Sequence, residues 1–181
     1  MIDERSTKEE VMAEFNGKDP CLTSLAEVSS KLRDDKEVVI LALQKSYYSY
    51  TCAQLQYVSE RLRDDKDVIM TALEKNVNNI VYASERLRDD TEVVKTAVNQ
   101  NGCVLKYASE RLRDDFDVVL AAVQSVGWAL RHASERLKDD YRIVEAAIQE
   151  NRYSVLYASP RLQNRKKDKI DIKNKKIILE P

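Results

Sequence analysis

Apolar residues recur along this chain in two alternating patterns, and both patterns repeat. In the stretch that begins at Asp89, Val93, Val94, Ala97 and Val98 fall at i, i+1, i+4 and i+5, a stripe that buries one face of a helix. Leu105, Ala108 and Leu112 follow at i, i+3 and i+7 and predict a second helix from about 103 to 111. Ile80/Ala83/Leu87, Leu130/Ala133/Leu137 and Val155/Ala158/Leu162 hold the same places. The small alanine lets a neighbouring helix come close. Helices of about ten residues do not persist alone in water, so stacking must supply most of the stability.

The polar residues carry the same period. Ser-Glu-Arg-Leu-Arg-Asp-Asp at 109–115 recurs at 59–65 and 84–90, and at 134–140 with one lysine. A looser copy stands at 29–35 and a decayed one at 159–165. Asp65, Asp90, Asp115, Asp140 and Arg165 are 25 residues apart, whereas Asp35 and Asp65 are 30 apart. A fixed period of this size means stacked repeats. Asp89 is expected to N-cap the first helix of its unit, with Glu92 completing a capping box. Asp64/Asp67, Asp114/Asp117 and Asp34/Glu37 repeat that pair, and Arg142 after Asp139 breaks it. Gly102 and Gly127 are expected to end first helices in the left-handed conformation, with Asn76 and Asn151 as next-best residues at the Asn101 position.

The predicted fold is therefore all-α, a right-handed solenoid or superhelix of short antiparallel helix-turn-helix repeats over residues 28–163. Residues 1–27 form an atypical cap. Within it Thr7 and Glu10 predict a capping box before Val11, Met12 and Phe15, on a helix that stops near Gly17. Residues 21–31 look like the second helix of an incomplete repeat, with Leu22, Leu25, Val28 and Leu32 at helical spacing. Five extra residues fall near 46–51, and 164–181 is a basic tail.

Composition narrows the function. The formal net charge of −1 argues against binding nucleic acid through bulk electrostatics. Cys21, Cys52 and Cys103 are odd in number and share no metal-ligand spacing, which fits free thiols in a reducing compartment such as the cytoplasm. No apolar run is long enough for a membrane span, and no secretory signal peptide is visible after Met1.

Candidate chemistry is sparse. Paired aspartates at helix starts suit capping. His132, the sole histidine, occupies the place of Tyr57, Tyr82, Tyr107 and Tyr157 and reads as packing. No nucleophile motif, multi-histidine set or phosphate-cradling loop is present, so no catalytic residue, metal or cofactor is expected. Arg61, Arg86, Arg111 and Arg161 lie four residues after those tyrosines, and Arg136 four after His132, which on one helix would form a Tyr/Arg ladder. The ladder has an internal reading, with each Arg over a Tyr and paired with Glu60, Glu85, Glu110 or Glu135 of a neighbouring unit. It also has a functional one, a groove for an acidic peptide or a phosphate. Side chains that break the pattern are the candidate partner-binding anchors. These are Tyr47, Tyr48 and Tyr50 in the insertion, Trp128 where other units have Cys103, Val77 and Arg152, and Phe116 and Tyr141 where others have Lys36, Lys66 and Thr91. The tail is basic enough to touch nucleic acid or anionic lipid, but Asp168 and Asp171 dilute it.

The unit at 89–113, Asp-Asp-x-x-Val-Val-x-x-Ala-Val-x-x-Asn-Gly-x-x-Leu-x-Tyr-Ala-Ser-Glu-Arg-Leu-Arg, resembles the repeat family called domain of unknown function 4116, over about residues 28–163. The resemblance implies a helical repeat protein without established catalytic residues. It also implies a setting in intracellular bacteria, protists or large DNA viruses, and in the bacteria a translocated effector acting inside a host cell. The function expected is a non-enzymatic protein–protein interaction module, by that resemblance an effector or a regulator of one. The alternative is a nucleic-acid-binding helical repeat.

Overall fold

The computed structural model describes residues 3–17, 24–45, 54–163, 170–171 and 176–177. Tyr47, Tyr48 and Tyr50, the rest of the insertion, Cys21 and Cys52 lie outside the described residues. The described residues fall in two compact units, Met1–Leu87 and Arg88–Pro181. Apart from one pair of two-residue strands, the regular structure among them is helical.

The repeats that begin at Lys66, Thr91, Phe116 and Tyr141 have three elements rather than two. A ten-residue α-helix comes first, for example Thr91–Gln100. A 3-10 segment follows, Gly102–Tyr107, and then a four-residue α-helix, Glu110–Arg113. The predicted second helix is thus cut at Ala108 and Ser109, whose backbones are extended (φ −67° and −58°, ψ 155° and 161°). Serine explains the cut. Its Oγ accepts from the Leu112 N–H at 3.2 Å and restarts the chain as an N-cap, a role for which serine is among the best residues.

The capping aspartate also differs from expectation by one residue. Asp90, not Asp89, caps the long helix and accepts from the N–H groups of Glu92 and Val93 at 2.9 and 3.1 Å. Asp65 does the same for Lys66–Lys75 and Asp115 for Phe116–Ser125. The first aspartate of the pair ends the short helix instead: Asp34, Asp64, Asp114 and Asp139 are C-caps.

The glycines are not left-handed stops. The long helices end at Asn101 and Val126 with extended backbone, φ −153° and −147°. Asn101 serves the next element, its side chain accepting from the Cys103 N–H at 3.0 Å as the N-cap of the 3-10 segment. Asn76 and Asn151 do likewise, and Val126 cannot. Gly102 and Gly127 are required by a close approach. A Cβ on Gly102 would strike the carbonyl oxygen of Ala122, and one on Gly127 that of Ala147. Both carbonyls belong to the long helix of the following repeat.

In the first unit Lys36–Lys45 packs against Lys66–Lys75 and against the N-terminal helix Lys8–Phe15. The Thr7/Glu10 capping box forms as expected. That N-terminal helix occupies the place of a long helix. Lys8 bonds Asp35 and Glu37 at 2.8 and 2.7 Å, as Lys36 bonds Asp65 and Asp67. With Leu25–Glu27 (3-10) and Ser30–Arg33 (α), residues before the regular array form a decayed repeat. Val11 and Phe15 match the buried Val39 and Leu43, but Glu10 and Glu14 stand where Val38 and Ala42 would be and are exposed. Half of the apolar stripe is thus polar and exposed there.

In the second unit Phe116–Ser125 packs between Thr91–Gln100 and Tyr141–Glu150. Ile143, Val144, Ala147 and Ile148 of the last long helix are all fully buried. The strand Lys176–Ile177, paired antiparallel with Ile170–Asp171, packs against that helix. The described part of the tail therefore folds back on the repeats.

Candidate binding surface

The five repeated arginines have one partner each, and it is not the expected one. Arg111 Nε donates to Asp89 Oδ1 at 3.0 Å and its Nη2 to the Asp89 carbonyl at 2.6 Å. The Ser109 hydroxyl donates to the same Asp89 Oδ1, and the Ser109 backbone N–H donates to the Arg88 carbonyl at 3.0 Å. Asp34 with Ser59 and Arg61, Asp64 with Ser84 and Arg86, Asp114 with Ser134 and Arg136, and Asp139 with Ser159 and Arg161 repeat the arrangement. The serine hydroxyl donates to one repeat while accepting within its own, using both capacities of the group. The serine first and then the arginine hold the carboxyls of Asp34, Asp64, Asp89 and Asp114 below the ordinary value. Arg111 is 58% exposed, so the ion pair adds little energy by itself; the cluster fixes how one repeat sits on the next.

The Tyr/Arg ladder on one helix does not form. Tyr82, Tyr107 and Tyr157 lie on 3-10 segments and Tyr57 on a turn, while each arginine lies on the short helix beyond the extended break, so the i, i+4 geometry is lost. Tyr57 is met from the preceding short helix, with the Arg33 guanidinium 5.7 Å from its ring centre. Tyr82, Tyr107 and Tyr157 are half-buried.

Phe116 is matched to the one charge reversal in the series. Where Lys36 reaches Asp65 and Asp67 of the next repeat, Phe116 faces Arg142, whose guanidinium lies 4.4 Å from the ring centre. Arg142 also bonds Asp140, the cap of its own helix, at 2.7 Å. Tyr141 is exposed.

Trp128 is partly exposed and rests on Tyr157, ring centres 5.8 Å apart and tilted by 57°. Its counterparts, counted by the period, are Asn78, Cys103 and Tyr153 rather than Val77 and Arg152. Sequence reasoning missed Tyr153 and Leu156, which are 53% and 66% exposed. They belong to the last 3-10 segment, Arg152–Tyr157, which also carries Tyr157, the partner of Trp128. The signal was readable: Leu156 occupies the place of Lys106 and Arg131. The outward positions of the 3-10 segments thus vary in kind, while the serine, aspartate and arginine of the clusters do not.

Cys103 is a half-buried free thiol. Among the described residues, no three His, Cys, Asp or Glu side chains gather to hold a metal ion, and no helix is long and apolar enough to cross a membrane.

Four overlapping matches to the family model described as domain of unknown function (DUF4116) cover residues 51–88, 65–113, 90–133 and 115–163. Neither a curated protein nor a solved structure shows a significant match. The matched segments span more than half of the chain, and the chain belongs to this family.

Proposed function

We propose that this DUF4116 repeat protein is a non-enzymatic protein-binding module, and that its partner docks on the outward face of the last two 3-10 segments. One observation supports this most: Trp128, Tyr153 and Leu156 are large apolar side chains held partly or mostly exposed on a scaffold whose repeated polar residues are already committed to one another. Exposed aromatics on a rigid support are typical interface anchors, because little conformational freedom remains to be lost on binding. The setting as a bacterial effector, or a regulator of one, is carried by the family resemblance alone and determines which lysates to use.

Affinity capture from host-cell and source-organism lysates tests the reading. Wild type is compared with Tyr153→Ser/Leu156→Ser, its helicity verified by circular dichroism. Loss in the variant of a partner that binds purified wild type supports it. Undiminished binding removes the patch from consideration, and recovery of nucleic acid in place of protein favours the alternative.

A further inference from the structure

A cavity of about 490 Å³ opens beside His132, lined among others by Arg113, Arg131, Ser134 and Lys138. It lies where the repeat pattern is broken. The place of His132 is held elsewhere by tyrosine, and Arg113 occupies the place of Arg33, which lies over Tyr57. Imidazole is smaller than the phenol that the other repeats carry there, and both His132 and Arg113 line the cavity.

The cations around this space are incompletely matched. At the equivalent position Arg33 donates to the Val28 and Ala26 carbonyls, and Gln163 to those of Ala158 and Leu156. Arg113 Nε, by contrast, is buried without a partner, as are those of Arg63 and Arg88. Its ion pair with Glu110 is loose, 3.9 Å to a side chain that is 96% exposed. Arg131 makes no ion pair among the described residues; its Nε donates to His132 Nε2 at 2.8 Å, which orients the guanidinium. Lys138 pairs with the largely exposed Glu135 at 2.8 Å. Asp114 on the rim is committed to Ser134 and Arg136. Burial first, and then the charges of Arg131, Lys106, Arg113 and Lys138, lower the His132 pKa to about 4, so near pH 7 the imidazole is neutral and its Nε2 accepts the Arg131 bond.

We propose that this cavity binds a phosphoryl group, with the Arg113 and Arg131 guanidinia and the Lys138 ammonium as its donors. Guanidinium groups present paired N–H donors that match phosphate oxygens, and the volume leaves room for the group that carries the phosphate. Glu110 and Glu135, both solvent-exposed, swing away when the anion enters. Partner docking on Tyr153 and Leu156 plays no part, and phosphate binding is measurable with no partner present.

His132 is the sole histidine, so its ring carbons give isolated NMR signals that report on the cavity. Inorganic phosphate titrated at pH 7 is expected to shift them saturably, while sodium chloride at equal ionic strength is not. Arg131→Gln and Lys138→Gln are each expected to weaken the response at least tenfold, and Arg61→Gln, in the equivalent cluster on Asp34 and away from the lining, to leave it unchanged. Glycerol phosphate and an acetylated phosphoserine amide then distinguish a small-molecule phosphate from a phosphorylated side chain by which binds more tightly. An equal shift in chloride, or a response unaltered in both lining variants, overturns the proposal.

Discussion

The edge that carries the Ser–Asp–Arg clusters and the face formed by the 3-10 segments belong to the same repeat but vary in opposite ways. On the edge the same three residues recur from Asp34 to Arg161, and they bond one another in the same way each time. On the face the corresponding positions hold Asn78, Cys103, Trp128 and Tyr153, or Val81, Lys106, Arg131 and Leu156. Repetition on the edge reflects joining one repeat to the next. Successive 3-10 segments also pack on one another, through buried residues such as Leu105 and Leu130, so variation on the face is confined to its outward positions. A residue type that recurs with the period is thus explained by the scaffold, and function is better sought among those that do not.

The largest effect is expected where the two regions meet the core. Gly102 opens a 3-10 segment and lies against the Ala122 carbonyl, so Gly102→Ala forces backbone apart and costs about 3 kcal/mol in chemical denaturation. If stability is unchanged, the close approach is not what selects glycine there. Ser109→Ala comes next. It removes the N-cap of Glu110–Arg113 together with the bond to Asp89, and about 1–2 kcal/mol is expected from the same measurement. An equal loss from Cys103→Ala, a change on the face, would erase the contrast between edge and face.

The two regions also respond to acid in different ranges. The Asp89 carboxyl is lowered in the folded state, so its contribution is complete above the ordinary 3.8 and is lost as pH falls through the folded value below that. The His132 imidazole is lowered from 6.5 to about 4, so between those values the unfolded chain binds the extra proton and stability falls as pH falls. His132→Tyr, which restores the residue of the other repeats, is expected to flatten thermal stability between pH 6.5 and 4 and leave the steeper loss at lower pH in place. The smallest effect is a gain. Val126 lacks the side-chain cap that Asn101 and Asn151 give their 3-10 segments, so Val126→Asn is expected to stabilise by about 0.5–1 kcal/mol.

Much of this was legible in the sequence. The 25-residue period, the Val93/Val94/Ala97/Val98 stripe and the helical class are direct consequences of spacing. Three local features were not, each for a physical reason. Ala108-Ser109 sits inside an apolar pattern that continues at helical spacing, so periodicity hides the break that the serine hydroxyl makes. Asp89 and Asp90 are chemically alike, and only the path of the backbone decides which one caps. Gly102 suits a left-handed stop and a close contact equally well, and the contact is with a residue twenty positions away. As for the site, the pattern-breaking Trp128 stands out because tryptophan is rare here, whereas the apolar type of Leu156 hides the outward place it shares with Lys106 and Arg131.

The central claim is that the face, and not the edge, meets a partner. A photoreactive benzoylphenylalanine in place of Leu156 is compared with one in place of Glu110, two side chains that are both largely exposed, 66% and 96%. Irradiation with the partner recovered by wild type is expected to give a covalent adduct from position 156 and none from position 110. An adduct from 110 with none from 156 would contradict the account.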